Sequence, residues 1–493
     1  MKIVMIFILA IYFVASLFLF VYSLTQLTLV WKYITKKKIF SISQKIEKTF
    51  RPYVTVQLPV YNEMYVVERL IDKVCELDYP LDKLEIQVLD DSTDETQQII
   101  ATKVREWKEK GIDIVHIHRT NRKGYKAGAL EEALDFAKGE FIAIFDADFL
   151  PNKNFLLKTI PHFHKSEVGL VQTRWGHINR DYSLLTRLQA FALDAHFTVE
   201  QVGRNSTDGF INFNGTAGVW RKKCIYESGN WSPDTLTEDL DLSYRAQLKD
   251  WEFIYLEDVD SPAELPPVMS ALKSQQYRWT KGGAETAKKH IPNVIKSNKS
   301  FSTKWHGVMH LMNSSVFVCI VACALLSVPL LSIKQNLPQF QNLFVIASIF
   351  LISFFVLASF YLTSVLKIKG KSIASVLEFI FLFPLFLAMS MGLSLHNAIA
   401  VIEGYMGKKT SFVRTPKFNI AAADSTYKKN IYSPNKIGWL SFLEGVMAIY
   451  FAYGIYKGIQ LGDLGLLPFH FMLFFGYSLI FAYSVFQTQP QNA

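Results

Sequence analysis

The chain has 493 residues, of which 50% are apolar, 14% are aromatic and only 19% are charged. This length accommodates roughly two to four domains, and so small a charged fraction excludes an intrinsically disordered polypeptide and is typical of a membrane protein. The net charge is +9, but most of the acidic residues lie between Glu47 and Glu264, and the flanking segments are basic and apolar. Basic residues beside apolar runs indicate a membrane surface, so we expect a lipid bilayer as a partner and no nucleic acid.

The first predicted element is an apolar run over residues 3–31 that contains no charged residue. It is longer than the roughly 20 residues that a helix needs to cross a bilayer, so we predict an uncleaved membrane anchor. The anchor and a basic linker form a first unit, residues 1–49. Lysines cluster after the run, at positions 32, 36, 37 and 38, and only Lys2 precedes it. The positive-inside rule therefore places the N-terminus outside and the next domain in the cytoplasm. We expect a multi-pass protein of the plasma (inner) membrane.

Residues 50–265 alternate between short β-rich runs and segments with helical spacing. The predicted strands are residues 54–59, 85–89, 114–118, 141–145 and 169–173. The predicted helices are residues 63–77, 94–110 and 126–138. Such alternation predicts an α/β fold with a parallel sheet covered by helices, and it places ligands outside the carboxyl ends of the strands.

Two further regions follow this domain. Residues 266–308 are basic and are punctuated by apolar and aromatic side chains, a pattern that indicates interfacial amphipathic helices. Residues 309–493 form a C-terminal membrane region with apolar runs at 311–333, 343–366, 373–402, 440–456 and 464–486.

The charge of the loop 403–439 indicates how many of these runs cross the membrane. It is rich in basic residues, namely Lys408, Lys409, Arg414, Lys417, Lys428, Lys429 and Lys436. If every run crossed, this loop would lie outside the cell, against the positive-inside rule. We therefore predict five crossings, counting the anchor, with residues 373–402 at the membrane interface. The alternative is six crossings.

Acidic pairs follow two of the predicted strands. Asp90 and Asp91 end one strand, where the simpler interpretation is a helix cap. Asp146 and Asp148 end another, and two carboxylates at this spacing can hold a hard divalent cation that bridges a diphosphate. A turn or a cap would also place carboxylates at this point.

Two later motifs carry side chains suited to group transfer. In the sequence TED at 237–239 a carboxylate could act as a general base toward a hydroxyl, or the acids could simply open a helix. In QQYRW at 275–279 the arginine can grip a diphosphate and the tryptophan can stack on a sugar. Both residues are also ordinary in an amphipathic interfacial helix.

The order of these motifs is more specific than any one of them. A strand with DD, a strand with DAD, then TED and QQYRW followed by membrane spans resembles family 2 glycosyltransferases, in particular the membrane-embedded cellulose synthase and cellulose synthase-like branch. The strings QLPVYNEMYVVERLID, LEIQVLDDSTDET, NRKGYKAGAL, FDADF, HFTVEQ, FNGTAGVWR and TEDLDL look most like the plant cellulose synthase-like A group, the glucomannan or mannan synthases. The resemblance is dense over residues 50–285, and it implies a nucleotide-binding, Rossmann-like GT-A domain for residues 50–265.

The resemblance implies donor-side roles for several residues. The pocket for the nucleotide base and ribose would be lined by Tyr61, Glu63, Asp90 and Asp91. The diphosphate would be held by Lys126, Gln275 and Arg278. A Mg²⁺ or Mn²⁺ cofactor would be organised by Asp146 and Asp148.

On the acceptor side, the resemblance makes Asp239 the catalytic base. It places Asn214, Gly215 and Trp279 beside the acceptor sugar, and cellulose synthases usually have cysteine where Asn214 stands. The string FVRTPK looks like the gating loop of cellulose synthases, which must lie beside the active site. The matching positions are Phe412, Thr415 and Lys417, and Arg414 replaces a valine.

The activity that the resemblance implies is that of a membrane-embedded, inverting hexosyltransferase that makes a β-glycan. It would transfer mannose from GDP-mannose, or glucose from UDP-glucose, to a growing glycan, and would processively make and export a β-1,4-linked polysaccharide. A nonprocessive enzyme with a lipid acceptor would use the same catalytic set, and an accessory export subunit is a further partner that this activity would admit. A transporter or channel instead requires ionisable residues within the spans, which hold almost none beyond Glu444.

Overall fold

The computed structural model describes residues 2–35, 49–207, 209–340, 342, 344, 348–420 and 438–487. The linker lysines at 36–38 and the loop lysines at 428, 429 and 436 lie outside the described residues. The chain begins with a single long helix, α1 (Lys2–Thr35), as predicted for the anchor. An α/β domain and then a second set of apolar helices follow it.

The strands of the α/β domain are β1 (Val54–Val60), β2 (Leu84–Asp90), β3 (Ile114–His118), β4 (Phe141–Ile144), β5 (Val168–His177), β6 (Gly218–Arg221) and β7 (Glu252–Ala263). They form one sheet in the order β3-β2-β1-β4-β6-β5-β7. Strand β6 is antiparallel to both of its neighbours, and every other pair is parallel. The five predicted strands are confirmed, and all of them run in the same direction.

The sequence pattern does not predict β6 or β7, for two physical reasons. Strand β6 has only four residues, and β7 carries acidic residues on its partly exposed face that interrupt the apolar run. Strand β2, by contrast, is buried along its whole length, which is typical of a central parallel strand covered on both faces.

The helices of this domain are α2 (Val67–Cys75), α3 (Thr96–Glu109), α4 (Tyr125–Leu134), α5 (Phe155–Thr159), α6 (Leu184–Ala195), α7 (Gln201–Asn205), α8 (Lys222–Glu227) and α9 (Glu238–Leu248). They bury two apolar layers, one on each face of the sheet. Val56 and Val88 belong to one layer, and Ile144 and Trp220 belong to the other. The sheet is thus fixed from both sides, and its strand ends are rigid positions for functional side chains.

The remaining helices are α10 (Met269–Lys296), α11 (Phe301–Leu311), α12 (Val316–Asn336), α13 (Ile352–Ile368), α14 (Ile373–Met406), α15 (Trp439–Gln460) and α16 (Leu467–Phe486). Within the described part of the chain, six helices are long and apolar enough to cross a membrane by length and composition: α1, α12, α13, α14, α15 and α16. The protein is therefore a multi-pass membrane protein.

Helix α14 contains the segment that we predict at the membrane interface, and its two ends bear on that prediction. Near its start, Glu378 contacts Arg187 of α6 at 3.3 Å and Lys369 at 2.6 Å. Near its end, Glu403 accepts a hydrogen bond from Tyr277 of α10. The start of this 34-residue helix therefore contacts α6 of the α/β domain, and its end contacts α10, which directly follows that domain. These contacts favour a helix that lies along the interface, and the five-crossing arrangement stays a prediction.

Candidate active site

A cavity opens at the carboxyl ends of β1, β2 and β4, at the edge of the sheet where parallel strands present their loops. Its empty space is about 1260 Å³, which includes space open to solvent. The predicted site residues that line it are Tyr61, Glu63, Asp91, Lys126, Asp146, Asp148, Asn214, Gly215, Asp239, Gln275, Arg278, Trp279, Phe412, Thr415 and Lys417. The α/β domain, α10 and the segment after α14 thus contribute to one site.

Asp90 is the predicted site residue that the structure does not bring into this cavity. Its side chain is fully buried elsewhere, where Oδ2 contacts His116 Nε2 at 2.8 Å and His118 Nδ1 at 3.2 Å. Burial by itself would raise the pKa of Asp90, but hydrogen bonds from His116 and Ser92 hold that pKa below its usual value. Successive residues of an extended chain point to opposite sides, so only Asp91 of this pair faces the cavity.

The two carboxylates that follow β4 are each paired with an ammonium group. Lys126 Nζ lies 2.6 Å from Asp146 Oδ1, and Lys417 Nζ lies 2.6 Å from Asp148 Oδ2. The two carboxylates offer only oxygen ligands, which is the donor set that Mg²⁺ and Mn²⁺ prefer. The residues therefore fit the cofactor that the resemblance implies. The two lysine ammonium groups neutralise the two carboxylates.

A glycine leaves room for the base candidate Asp239 and for Lys126 on the same side of the chain. A Cβ atom at position 215 would lie 3.1 Å from Asp239 Oδ2 and 3.4 Å from Lys126 Nζ. Gly215 also has a φ of +80°, a conformation that glycine adopts without steric cost. Lys126 Nζ donates a hydrogen bond to the carbonyl oxygen of Gly215 at 2.8 Å. The lysine therefore spans the space between Asp146 and Asp239.

The electrostatics of this group suit proton transfer. Burial raises the pKa of Asp239 to about 7; the charge of Glu238 adds to this rise, and Lys126 opposes it. Burial also raises the pKa of Glu238. Burial would lower the pKa of Lys126, but the nearby carboxylates, Asp146 foremost, keep it above its usual value. Lys126 therefore stays charged, and the pKa of Asp239 is raised in the direction that favours a general base.

The segment that resembles a gating loop is docked on α10 at the mouth of the cavity. Arg278 Nη2 donates a hydrogen bond to Thr415 Oγ1 at 2.6 Å. The guanidinium carbon of Arg278 also lies 4.7 Å from the centroid of the Phe412 ring, within the range of a cation–π contact. The predicted diphosphate ligand Arg278 is thus in contact with the loop.

The position at which the loop departs from the cellulose synthase pattern makes its own contact. Arg414 Nη1 lies 2.7 Å from Glu63 Oε2. Burial raises the pKa of Glu63 to about 7, against the opposing charges of Arg414 and Lys417. An arginine in place of valine therefore adds an ion pair that joins the loop to the α/β domain.

The loop after β3 supplies two arginines that sequence reasoning did not single out. The guanidinium carbon of Arg122 lies 3.4 Å from the ring centroid of Tyr61. Arg119 holds Asp91 with two hydrogen bonds, Nε to Oδ1 at 2.7 Å and Nη2 to Oδ2 at 2.6 Å. The string RTNR directly after a predicted strand is the signal that could have found them.

The acceptor side of the cavity is aromatic beside Trp279 and polar beside Asn214. Trp175 and His177, which the sequence analysis did not name, also line the cavity. The ring centroid of Trp175 lies 6.5 Å from that of Trp279. Asn214 Oδ1 lies 3.3 Å from His196 Nε2. Trp175 and His177 are two residues apart at the end of β5, and this spacing places them on one face.

Two family models match the chain. Glycosyl transferase family 2 matches residues 55–226, and Glycosyl transferase family group 2 matches residues 141–391, which is half of the chain. The chain belongs to glycosyl transferase family group 2. The second match includes the DAD, TED and QQYRW motifs, whose side chains meet in the cavity.

Curated relatives agree with this assignment. The chain is 45% identical over 281 residues to "Probable glucomannan 4-beta-mannosyltransferase 4" of Oryza sativa subsp. japonica, covering 56% of this chain and 51% of that protein. It is 39% identical over 322 residues to "Glucomannan 4-beta-mannosyltransferase 1" of Cyamopsis tetragonoloba, covering 62% and 61%. The resemblance to the cellulose synthase-like A group is confirmed. The chain spans about half the length of the curated relatives it matches.

A solved structure confirms the fold. The mannosyltransferase PcManGT from Pyrobaculum calidifontis, in complex with GDP-Man and Mn²⁺, matches 82% of this chain and 100% of its own, with a TM-score of 0.54 and 19% sequence identity. The predicted GT-A fold is therefore present in this chain.

Proposed function

We propose that this family group 2 protein is an inverting mannosyltransferase that uses GDP-mannose to elongate a β-1,4-linked glycan. The observation that carries the proposal is the convergence of Asp239, Lys126, Arg278 and the Asp146–Asp148 pair on one cavity beside apolar helices. The sugar and the linkage rest on the relatives, which are named as glucomannan 4-beta-mannosyltransferases. UDP-glucose is the competing donor that the experiment below must exclude.

In this reaction the acceptor hydroxyl oxygen bonds to C1 of the sugar while the bond between C1 and the diphosphate oxygen breaks. The electron pair of the broken bond leaves with the nucleoside diphosphate. The hydroxyl proton passes to the carboxylate of Asp239, which is buried and has a pKa near 7. A single displacement inverts C1, so an α-linked donor gives a β-linked product.

Negative charge develops on the leaving diphosphate during this step. Lys126 and Arg278 line the same cavity and would stabilise that charge, which is usually the largest catalytic contribution. A divalent cation held by Asp146 and Asp148 would supply further positive charge at the diphosphate. Lys126 Nζ donates hydrogen bonds to Asp146 and to the carbonyl oxygen of Gly215. These contacts would keep the residues that bind the diphosphate close to the base.

We further propose that the α/β domain is cytoplasmic and that the membrane helices export the product. Trp279 belongs to α10, and α10 also contacts the membrane region, since Lys273 Nζ lies 2.7 Å from Glu444 Oε2 of α15. An acceptor held at Trp279 therefore stands next to the apolar helices. This placement supports processive elongation, in which each added sugar moves the chain toward the membrane.

The test is transfer by the purified full chain in lipid nanodiscs. GDP-[¹⁴C]mannose and UDP-[¹⁴C]glucose are supplied separately with Mn²⁺ or Mg²⁺, and the product is sized and digested with an endo-β-1,4-mannanase. We expect a polymer from GDP-mannose that the mannanase degrades, and product formation by Asp239→Asn protein that is slower by about 10²- to 10⁴-fold. A mannanase-resistant product made from UDP-glucose would overturn the donor assignment. A short, organic-soluble product would indicate a nonprocessive glycosyltransferase with a lipid acceptor and would overturn the assignment as a polymerase.

A further inference from the structure

A cluster of metal-ligating side chains lies outside the active-site cavity, on the edge strand β3 and its neighbour β2. The parallel pairing of these strands places Asp90 directly opposite His118. His116 is two residues before His118, so both imidazoles project from the same face of the sheet. Strand geometry alone therefore brings two imidazoles and one carboxylate together. Among the described residues that line the active-site cavity, none belongs to this cluster.

The candidate ligand atoms of the cluster lie close together. Asp90 Oδ2 lies 2.8 Å from His116 Nε2 and 3.2 Å from His118 Nδ1, and one ligand atom from each residue lies within 4.8 Å of the others. Ligands around a tetrahedral Zn²⁺ at about 2.0–2.2 Å are roughly 3.3 Å apart. The Asp90 side chain is fully buried, whereas 20% and 33% of the two histidine side chains are exposed. Solvent therefore reaches one side of the cluster, where a water molecule can complete the coordination.

We propose that Asp90, His116 and His118 bind a divalent late first-row transition metal such as Zn²⁺, with water at the open position. Imidazole nitrogen favours Zn²⁺ and its neighbours in the series, whereas oxygen-only sets favour Mg²⁺ and Mn²⁺. The site therefore differs in metal preference from Asp146 and Asp148. It goes beyond the proposed transferase activity, which uses none of these three side chains.

The new site is connected to the donor side of the cavity through the backbone. The carbonyl oxygen of Asp90 accepts a hydrogen bond from the backbone N–H of Arg119 at 2.9 Å. The side chain of Arg119 holds Asp91, which lines the cavity, and Arg122 follows in the same loop. A metal that ties β2 to β3 would therefore order the loop that presents these arginines, so bound Zn²⁺ should raise the thermal stability of the protein.

The test is Zn²⁺ binding by the full chain in detergent, measured by calorimetry and by competition with a fluorescent chelator. We expect one Zn²⁺ that is retained in Asp148→Ala, because that change removes a ligand of the other site. His118→Gln should weaken binding by at least about tenfold, because even the loss of a residue that only orients a ligand typically costs about 10- to 100-fold. His164→Gln, a change at an exposed histidine away from the cluster, is the matched control and should bind like the wild type.

A second measurement distinguishes loss of the Zn²⁺ site from misfolding of the His118→Gln protein. Mn²⁺ binding by the same preparation, followed by electron paramagnetic resonance, reports whether the Asp146–Asp148 site is intact. Loss of Zn²⁺ binding with Mn²⁺ binding preserved supports the proposal. Zn²⁺ binding that persists in His118→Gln but disappears in Asp148→Ala would overturn it, as would a wild-type Kd weaker than about 100 µM.

Discussion

Replacing Lys417 by Gln is expected to tighten the binding of Mn²⁺ to the donor-free protein. Lys417 Nζ lies 2.6 Å from Asp148 Oδ2, and only 15% and 5% of the two side chains are exposed. A metal ion that uses Asp148 as a ligand must displace this ammonium group. The apparent affinity for the metal is therefore reduced by the free energy of the lysine–aspartate contact.

The size of the effect follows from the burial of the pair. An exposed ion pair contributes at most about 1 kcal/mol, whereas a hydrogen bond to a charged group contributes about 1.5–3 kcal/mol. We use the larger range because both side chains are mostly buried. Since 1.4 kcal/mol corresponds to a tenfold change in an equilibrium constant, the Kd for Mn²⁺ should fall by about 10- to 140-fold.

The assay is the electron paramagnetic resonance signal of free Mn²⁺, titrated with protein in the absence of any sugar nucleotide. Lys417→Arg retains the positive charge and should leave the Kd close to that of the wild type. Lys409→Gln removes another lysine of the same loop, whose Nζ contacts the carbonyl oxygen of Asp234 at 3.3 Å, and it should also change little. A Kd for Lys417→Gln within twofold of the wild type would refute the competition. Equal tightening in Lys409→Gln would show a general charge effect instead.

Three further results are expected. Asp239→Asn should slow transfer by about 10²- to 10⁴-fold, while calorimetry shows little change in GDP-mannose affinity because the base acts on the acceptor hydroxyl. Normal turnover by this variant together with an inactive Glu238→Gln would assign the base to Glu238. Asp148→Ala should abolish transfer while the protein still elutes as a single species on size exclusion, and full activity of the wild type in excess EDTA would contradict the metal requirement. A cysteine introduced by Ser411→Cys should react with a membrane-impermeant thiol reagent only after permeabilisation, and labelling of intact cells would favour six crossings.

Strand ends explain how much of the site could be predicted from the sequence. Asp91 and Asp146 directly follow buried apolar runs, and the carboxyl ends of parallel strands meet at one edge of a sheet. Alternation of strands and helices was therefore enough to bring these two residues together. Arg278 and Lys417 lie far along the chain from Asp91 and Asp146, and only the family resemblance places them beside these residues. Their positions depend on how α10 and the loop pack, which no local pattern encodes.

The parts that escaped prediction depend on the direction of single side chains. Asp90 and Asp91 are adjacent, and the sequence does not say which of them faces the ligand. Trp175 and Arg122 look like ordinary residues of a strand and a turn until the fold places them in or beside the cavity. The contact between Arg414 and Glu63 joins positions that are distant in sequence, so the replacement of the usual valine does not by itself predict this ion pair.

The charges of the cavity imply that loop docking and donor binding are thermodynamically linked. In the donor-free protein, Asp148 and Glu63 are each paired with a basic residue of the loop. Metal alone would compete with Lys417 for Asp148 and weaken this contact of the docked loop. A metal-bound nucleoside diphosphate also brings phosphate oxygens, which can replace Asp148 as the partner of Lys417. Because linkage is reciprocal, the factor by which the docked loop weakens metal binding equals the factor by which metal weakens docking. Metal alone should therefore loosen the loop, and metal together with the donor should restore its closure.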